Sequence, residues 1–128
     1  MILIMGGVAQ GKLKFVMEHF RPKVIINGAD CVLSIPKNAE CVINYHELIK
    51  RLMHENEDTA AFTKKFCTEN QNALIIMNEV GSGIIPIEKS EREWRENVGK
   101  CGCIIAEKAD TVIRITCGIP AVIKGKLT

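Results

Sequence analysis

Gly6, Gly11 and Lys12 stand at the spacing G-x-x-x-x-G-K, directly after the apolar run 2–5 and directly before a helical pattern. The chemistry of that pattern is phosphate binding. A glycine-rich strand-to-helix turn leaves backbone N–H groups pointing inward, the helix N-terminus adds partial positive charge, and the lysine sets a cation between the outer phosphates of a nucleotide. The candidate cradle is Gly6, Gly7, Val8, Ala9, Gln10, Gly11, Lys12 and Leu13. The last residue departs from the pattern, because Ser or Thr is expected there to ligate Mg²⁺. Leu13 offers no oxygen, and a hard cation requires oxygen. Phosphate can still bind through N–H groups and Lys12, while metal-assisted transfer needs an oxygen from elsewhere or water alone, so a weakened Mg²⁺ site is expected. The plain alternative is an ordinary glycine turn with a solvated lysine, with Leu13 in the buried stripe of its helix.

Other residues bear on the same chemistry. Glu79 follows a buried strand pattern on the edge where phosphates would lie, where it can ligate Mg²⁺ or orient an acceptor hydroxyl. A solvated loop acid is the plain reading. Gly81 and Gly83, just beyond it, suggest positive φ or close approach of backbone to ligand. His19 ends the first helix, where a cation suits the helix dipole. His46 and His54 fall on the polar face of the second helix, with Lys50 between them, and a solvated face is the default for both. Arg92 and Arg95 suit phosphates, a neighbouring subunit or a solvated face equally. Cys101-Gly102-Cys103 is a C-x-C pair on a helix, whose side chains diverge by about 200° at ~3.6 residues per turn. With no second pair at zinc spacing, structural thiols rather than a metal site are expected.

The elements that must position these groups alternate. Apolar runs of strand length occur at 2–5, 24–27, 41–44, 73–77, 111–117 and 121–124, and the first four are almost wholly apolar, as in strands covered on both faces. Between them run helical patterns. Leu13, Val16, Met17 and Phe20 form one stripe, ended by Pro22. Tyr45, Leu48, Ile49, Leu52 and Met53 form a second, after Asn44. Phe62 and Phe66 mark a third helix near 59–68. A fourth begins at Ser90, which with Glu93 makes an S-x-x-E capping box, and carries Trp94, Val98, Cys101 and Ile105. Strands alternating with helices predict an α/β fold of P-loop type, a mainly parallel sheet flanked by helices. Ligands of such sheets sit beyond the C-terminal strand ends, which places 6–12, 44–46 and 78–83 on one edge.

Composition sets the outer bounds. The 128 residues suggest one nucleotide-binding domain, 1–128, and 47% hydrophobic with 25% charged residues is an ordinary globular mixture. A net charge of +2 and 5% aromatic residues give no basis for nucleic-acid binding. No apolar run approaches the roughly 20 residues of a membrane span. Six cysteines without a secretion signal suggest reduced thiols in the cytoplasm.

The stretch Asn78-Glu79-Val80-Gly81-Ser82-Gly83-Ile84-Ile85-Pro86 resembles the N-E-V-G-x-G-I-V-P signature of the adenosylcobinamide kinase/adenosylcobinamide-phosphate guanylyltransferase family. The similarity continues through Arg92, Trp94-Arg95, Gly99, Ala106, Ala109-Asp110, Val112 and Gly118-Ile119-Pro120, covering roughly 73–124, and the loop 6–12 agrees. The resemblance implies a homotrimeric nucleotide-binding enzyme of cobalamin assembly with two reactions. A nucleoside triphosphate, GTP or ATP, phosphorylates the aminopropanol hydroxyl of adenosylcobinamide. GTP then transfers GMP to that phosphate through a histidine–GMP intermediate.

The departures from the family are as informative. Leu13 replaces its Ser, Asn44 replaces the Asp of a strand-end D-C-x-T motif, and Gly102-Cys103 replaces an Asn-Gln pair. The connection between the second and third strands, which in the family bears the guanylylated histidine, is reduced to 28–40 and contains no histidine. Lys12, Glu79 and His46 are therefore the expected catalytic residues, with His46 the one available substitute nucleophile. Phosphorylation is the half expected to persist. The alternative is a nucleotide-binding or assembly module whose chemistry has decayed.

Overall fold

In the computed structural model the described residues are 1–80 and 88–127. Gly81 and Gly83, whose backbone was expected to approach a ligand, lie outside them. The chain runs β1 (Ile2–Gly6), α1 (Lys12–His19), β2 (Ile25–Asn27), β3 (Cys41–Ile43), α2 (Tyr45–His54), α3 (Thr59–Glu69), β4 (Leu74–Asn78), α4 (Lys89–Lys108), β5 (Thr111–Thr116) and β6 (Ile119–Lys124). The strands form one sheet in the order β2-β3-β4-β1-β5-β6, parallel except for β6, which pairs antiparallel with β5. This is the expected α/β architecture of P-loop type.

Side chains alternate across each strand, so the sheet divides its apolar residues between two faces. Ile4, Cys41, Leu74, Ile76, Ile113 and Ile115 pack with Val16 of α1. Leu3, Val42, Ile75, Met77 and Val112 pack on the other face, against Tyr45, Leu48 and Ile49 of α2, Phe66 of α3 and Val98, Cys101 and Ile105 of α4. The handedness of parallel crossovers explains the split. The chain moves outward from β1 to β2, then back through β3 and β4 and past β1 to β5, so α1 falls on one face and α2, α3 and α4 on the other. Connections from the neighbouring strands β1 and β4 thus leave to opposite faces. That is the switch point at which open α/β sheets bind ligands, and both of the strand ends expected to carry chemistry lie there.

Three expectations are corrected. In α1, Leu13 and Met17 are 46% and 41% exposed, and Val16 alone of the proposed stripe is fully buried within the helix. Among the described residues α1 is the one helix on this face, and none packs beyond it to bury a wide stripe. Ser90 is not a cap: α4 begins at Lys89 after Glu88, which makes no side-chain cap bond. The run at 24–27 is not buried on both faces, because β2 is an edge strand and Ile25 is 37% exposed. The connection 28–40 contains no helix or strand. It is tied down by Gly28 N–H to Ile43 O (2.8 Å), by Arg51 Nη1 to Gly28 O (3.0 Å) and by Ala39 N–H to Asn70 Oδ1 (2.7 Å). Cys101 is buried and Cys103 exposed, as the helical angle between them requires. Among the described residues no helix is long and apolar enough to cross a membrane.

Candidate phosphate site at the end of the central strand

The loop leaves β1 at Gly6, which is pressed against β5. A Cβ built on Gly6 would lie 2.5 Å from the backbone oxygen of Ile115, so no side chain fits. Gly6 O also accepts the N–H of Glu79 (2.8 Å), which fixes the end of β4 beside the loop. The loop turns through Ala9 at φ 54° and Gly11 at φ 89°, both in the left-handed region, where glycine alone is at ease. Gly11 is the N-cap of α1, no side chain caps the helix, and its first turn holds no acidic residue. The first-turn N–H groups are therefore free of side-chain caps and would present the favourable end of the dipole to an anion.

Lys12 is 8% exposed and its Nζ donates to Gly7 O at 2.5 Å, which folds the cation back over the loop. Burial lowers its pKa, and Glu79 opposes that shift. An anion entering the loop would offer this ammonium the counter-charge that its surroundings only partly supply. Beside the loop lies a cavity of about 240 Å³, bounded by Gly11, Lys12, Leu13, Asn44 and Asn78.

Glu79 is not free. Its carboxylate accepts from Arg114 Nη2 at 2.9 Å. The partner lies on β5, aligned with Met5 of β1, so the pair bridges the strands on either side of β1. Arg114 carried no signal in the sequence, since its distance from Glu79 along the chain hides a contact made by strand order alone. Asn44 adopts φ 54° and its Nδ2 donates to Asn27 Oδ1 at 3.0 Å. It joins the ends of β2 and β3 rather than supplying the carboxylate that its position suggests.

His46 overturns the expectation of a solvated face. It is 5% exposed, and its Nδ1 accepts the N–H of Asn78 at 3.0 Å. The neutral ring then carries its proton on Nε2, and its one lone pair is already engaged. Trp94 Nε1 donates to His46 O at 2.9 Å, tying α4 to the start of α2. His54 does lie exposed, as expected. His19 ends α1, stacked on Phe15 with ring centroids 5.3 Å apart.

Burial lowers the pKa of His46; Glu47 raises it and Lys12 lowers it further. The unfolded ring, at about 6.5, then takes up a proton before the folded one does. Stability is whole above pH 6.5 and falls as pH drops toward the lowered folded value. Denaturant unfolding at pH 7.5 and 5.5 should show this loss in the wild type and a smaller one in His46→Gln, whose amide oxygen can still accept from Asn78. Equal losses would mean that His46 is not the group responsible.

Among the described residues, the side-chain oxygens near the cavity are the amides of Gln10, Asn44 and Asn78 and the carboxylate of Glu79, and Leu13 supplies none. The loop N–H groups and the Lys12 cation suit a nucleotide phosphate, whereas one carboxylate already paired with Arg114 is a poor basis for a tightly held divalent cation. The model of the family cobinamide kinase / cobinamide phosphate guanyltransferase matches residues 30–123. That span includes Asn44, His46, Glu79 and Arg114, while the loop 6–12 lies before it. No individual curated protein matches the chain.

Proposed function

The chain belongs to the cobinamide kinase / cobinamide phosphate guanyltransferase family, and from that premise we propose that it is a nucleotide-dependent kinase of cobalamin biosynthesis which has kept phosphoryl transfer and lost guanylyl transfer. One observation carries the reading. The loop 6–12 has the geometry a phosphate cradle needs, with an uncapped helix N-terminus and Lys12 folded over it, whereas the connection 28–40 is a short irregular crossover without histidine.

Residues 1–128 act as one nucleotide-binding domain. GTP or ATP binds with its phosphates against the N–H groups of the loop and of α1, and Lys12 turns from Gly7 O to the outer phosphates. The acceptor is the hydroxyl of an adenosylcobinamide-type corrinoid, approaching from the β4 end. Glu79, held by Arg114, orients that hydroxyl and accepts its proton as the O–P bond forms and the nucleoside diphosphate leaves. Mg²⁺ would supply charge neutralisation at the transferring phosphate, and the amide oxygens of Asn44 and Asn78, together with water, would be the groups to hold it. No protein nucleophile is required.

His46 serves this chemistry by holding Asn78, and with it the end of β4. It would have to release that bond before its Nδ1 could carry GMP. The exposed apolar residues Leu13, Met17, Val24 and Ile25, on or near the face covered by α1, suit a self-association surface, in keeping with a homotrimer in the cytoplasm. The alternative of a decayed binding module is favoured by Leu13, which lacks the hydroxyl expected to ligate Mg²⁺, and by Asn44, which replaces the carboxylate of the strand-end motif. Incubation with GTP or ATP and adenosylcobinamide, followed by mass spectrometry of the corrinoid, separates the readings. A corrinoid heavier by one phosphate supports the kinase. Unchanged corrinoid with bound nucleotide supports the module.

A further inference from the structure

The hairpin joining β5 to β6 is hydrogen-bonded to the phosphate loop at Gln10. Cys117 N–H donates to Gln10 Oε1 at 2.6 Å, and Gly118 N–H donates to Gln10 O at 2.8 Å. A Cβ on Gly11 would lie 3.3 Å from the Cα of Gly118, so turn and loop are in near contact there as well. Both turn residues have positive φ, 51° and 78°, the pattern of a two-residue hairpin turn of type I′. Glycine adopts this freely, but a cysteine there is strained, and such strain persists where the surroundings over-determine it. Here the surroundings are Gln10, which receives two consecutive N–H groups of the turn.

We propose that the Cys117–Gly118 turn is a positioning element of the phosphate loop, acting through Gln10. The proposal rests on nucleotide binding at this loop. The bond to the side-chain oxygen and the bond to the backbone oxygen fix the residue between Ala9 and Gly11, both of which are left-handed. With Gln10 held, the N–H groups on either side keep their direction before phosphate arrives. An unlatched loop must order itself on binding, and that cost reduces affinity. Gln10 is thus a positioning residue, and β6, otherwise an exposed edge strand, acquires a role in the site.

The test compares GTP titration of the wild type, Lys12→Ala, Gln10→Ala and Gln10→Glu with amide hydrogen exchange at Cys117 and Gly118. Loss of one neutral hydrogen bond of ~0.5–1.5 kcal/mol corresponds to roughly two- to tenfold weaker binding. Gln10→Ala should show that loss while the nucleotide-free protein still unfolds cooperatively, its Tm lower by about 5 °C or less. GTP should slow exchange at both turn amides in the wild type. Gln10→Glu, which keeps an acceptor oxygen, should restore protection of the Cys117 amide that Gln10→Ala loses. Affinity lost in Lys12→Ala but unchanged in Gln10→Ala overturns this proposal alone, as does turn exchange indifferent to bound GTP. Failure of the wild type to bind GTP overturns it together with the nucleotide reading.

Discussion

Lys12→Ala should bind GTP and ATP about tenfold more weakly than the wild type, or worse. The loop and the N-terminus of α1 remain in the variant, so the N–H cradle persists and some affinity survives. What disappears is a buried cation with one carbonyl partner, placed to turn onto the outer phosphates. A charge-assisted hydrogen bond contributes roughly 1.5–3 kcal/mol, and ~1.4 kcal/mol is a decade in affinity. Burial lowers the Lys12 pKa, and a bound phosphate should oppose that shift as Glu79 does. Calorimetry measures the affinity. Equal affinities for the variant and the wild type would remove the phosphate loop from the account.

Gly6→Ala should destabilise the fold far more than Gly7→Ala, although the two glycines are adjacent. At Gly6 the added methyl meets the backbone oxygen of Ile115 at 2.5 Å, which can move only if β1 and β5 separate. These are neighbouring strands at the centre of the sheet. Overpacking of this kind costs on the order of 3 kcal/mol, a large share of the roughly 5–15 kcal/mol that stabilises a domain. At Gly7 the nearest atom is the Gln10 Cγ at 3.5 Å, an ordinary contact. Thermal unfolding should place Gly6→Ala about 10 °C or more below the wild type and Gly7→Ala close to it. Similar Tm values for the two variants would mean that β1 and β5 tolerate separation at this point.

Much of the architecture was legible because it follows from periodicity. The runs in β1, β3 and β4 are apolar since they are covered on both faces, and the loop 6–12 was marked by glycines whose roles are geometric. The errors arose where a pattern needed a neighbour to give it meaning. Leu13 and Met17 have helical spacing, but spacing does not reveal that α1 packs alone on its face. His46 has a polar position on a helical wheel, yet α2 presents that position to the end of β4, where an N–H awaits an acceptor. Ser90 and Glu93 match a capping box, but α4 starts one residue earlier. The partners of the site were the least legible. Arg114 meets Glu79, and Cys117 meets Gln10, through contacts created by strand order between distant parts of the chain, and no local signal announces them. The short crossover 28–40 was visible in the sequence, and the structure adds that it contains no helix or strand.

The central claim is that this chain transfers the terminal phosphate of a nucleotide to a corrinoid hydroxyl and does not carry GMP on a histidine. Incubation of the wild-type protein and adenosylcobinamide with GTP labelled separately in its γ- and α-phosphates tests it most directly. The account predicts γ-label in the corrinoid, no α-label in the corrinoid, and no acid-labile α-label on the protein. An acid-labile α-label on the wild type that disappears in His46→Ala would contradict it and make His46 the nucleophile.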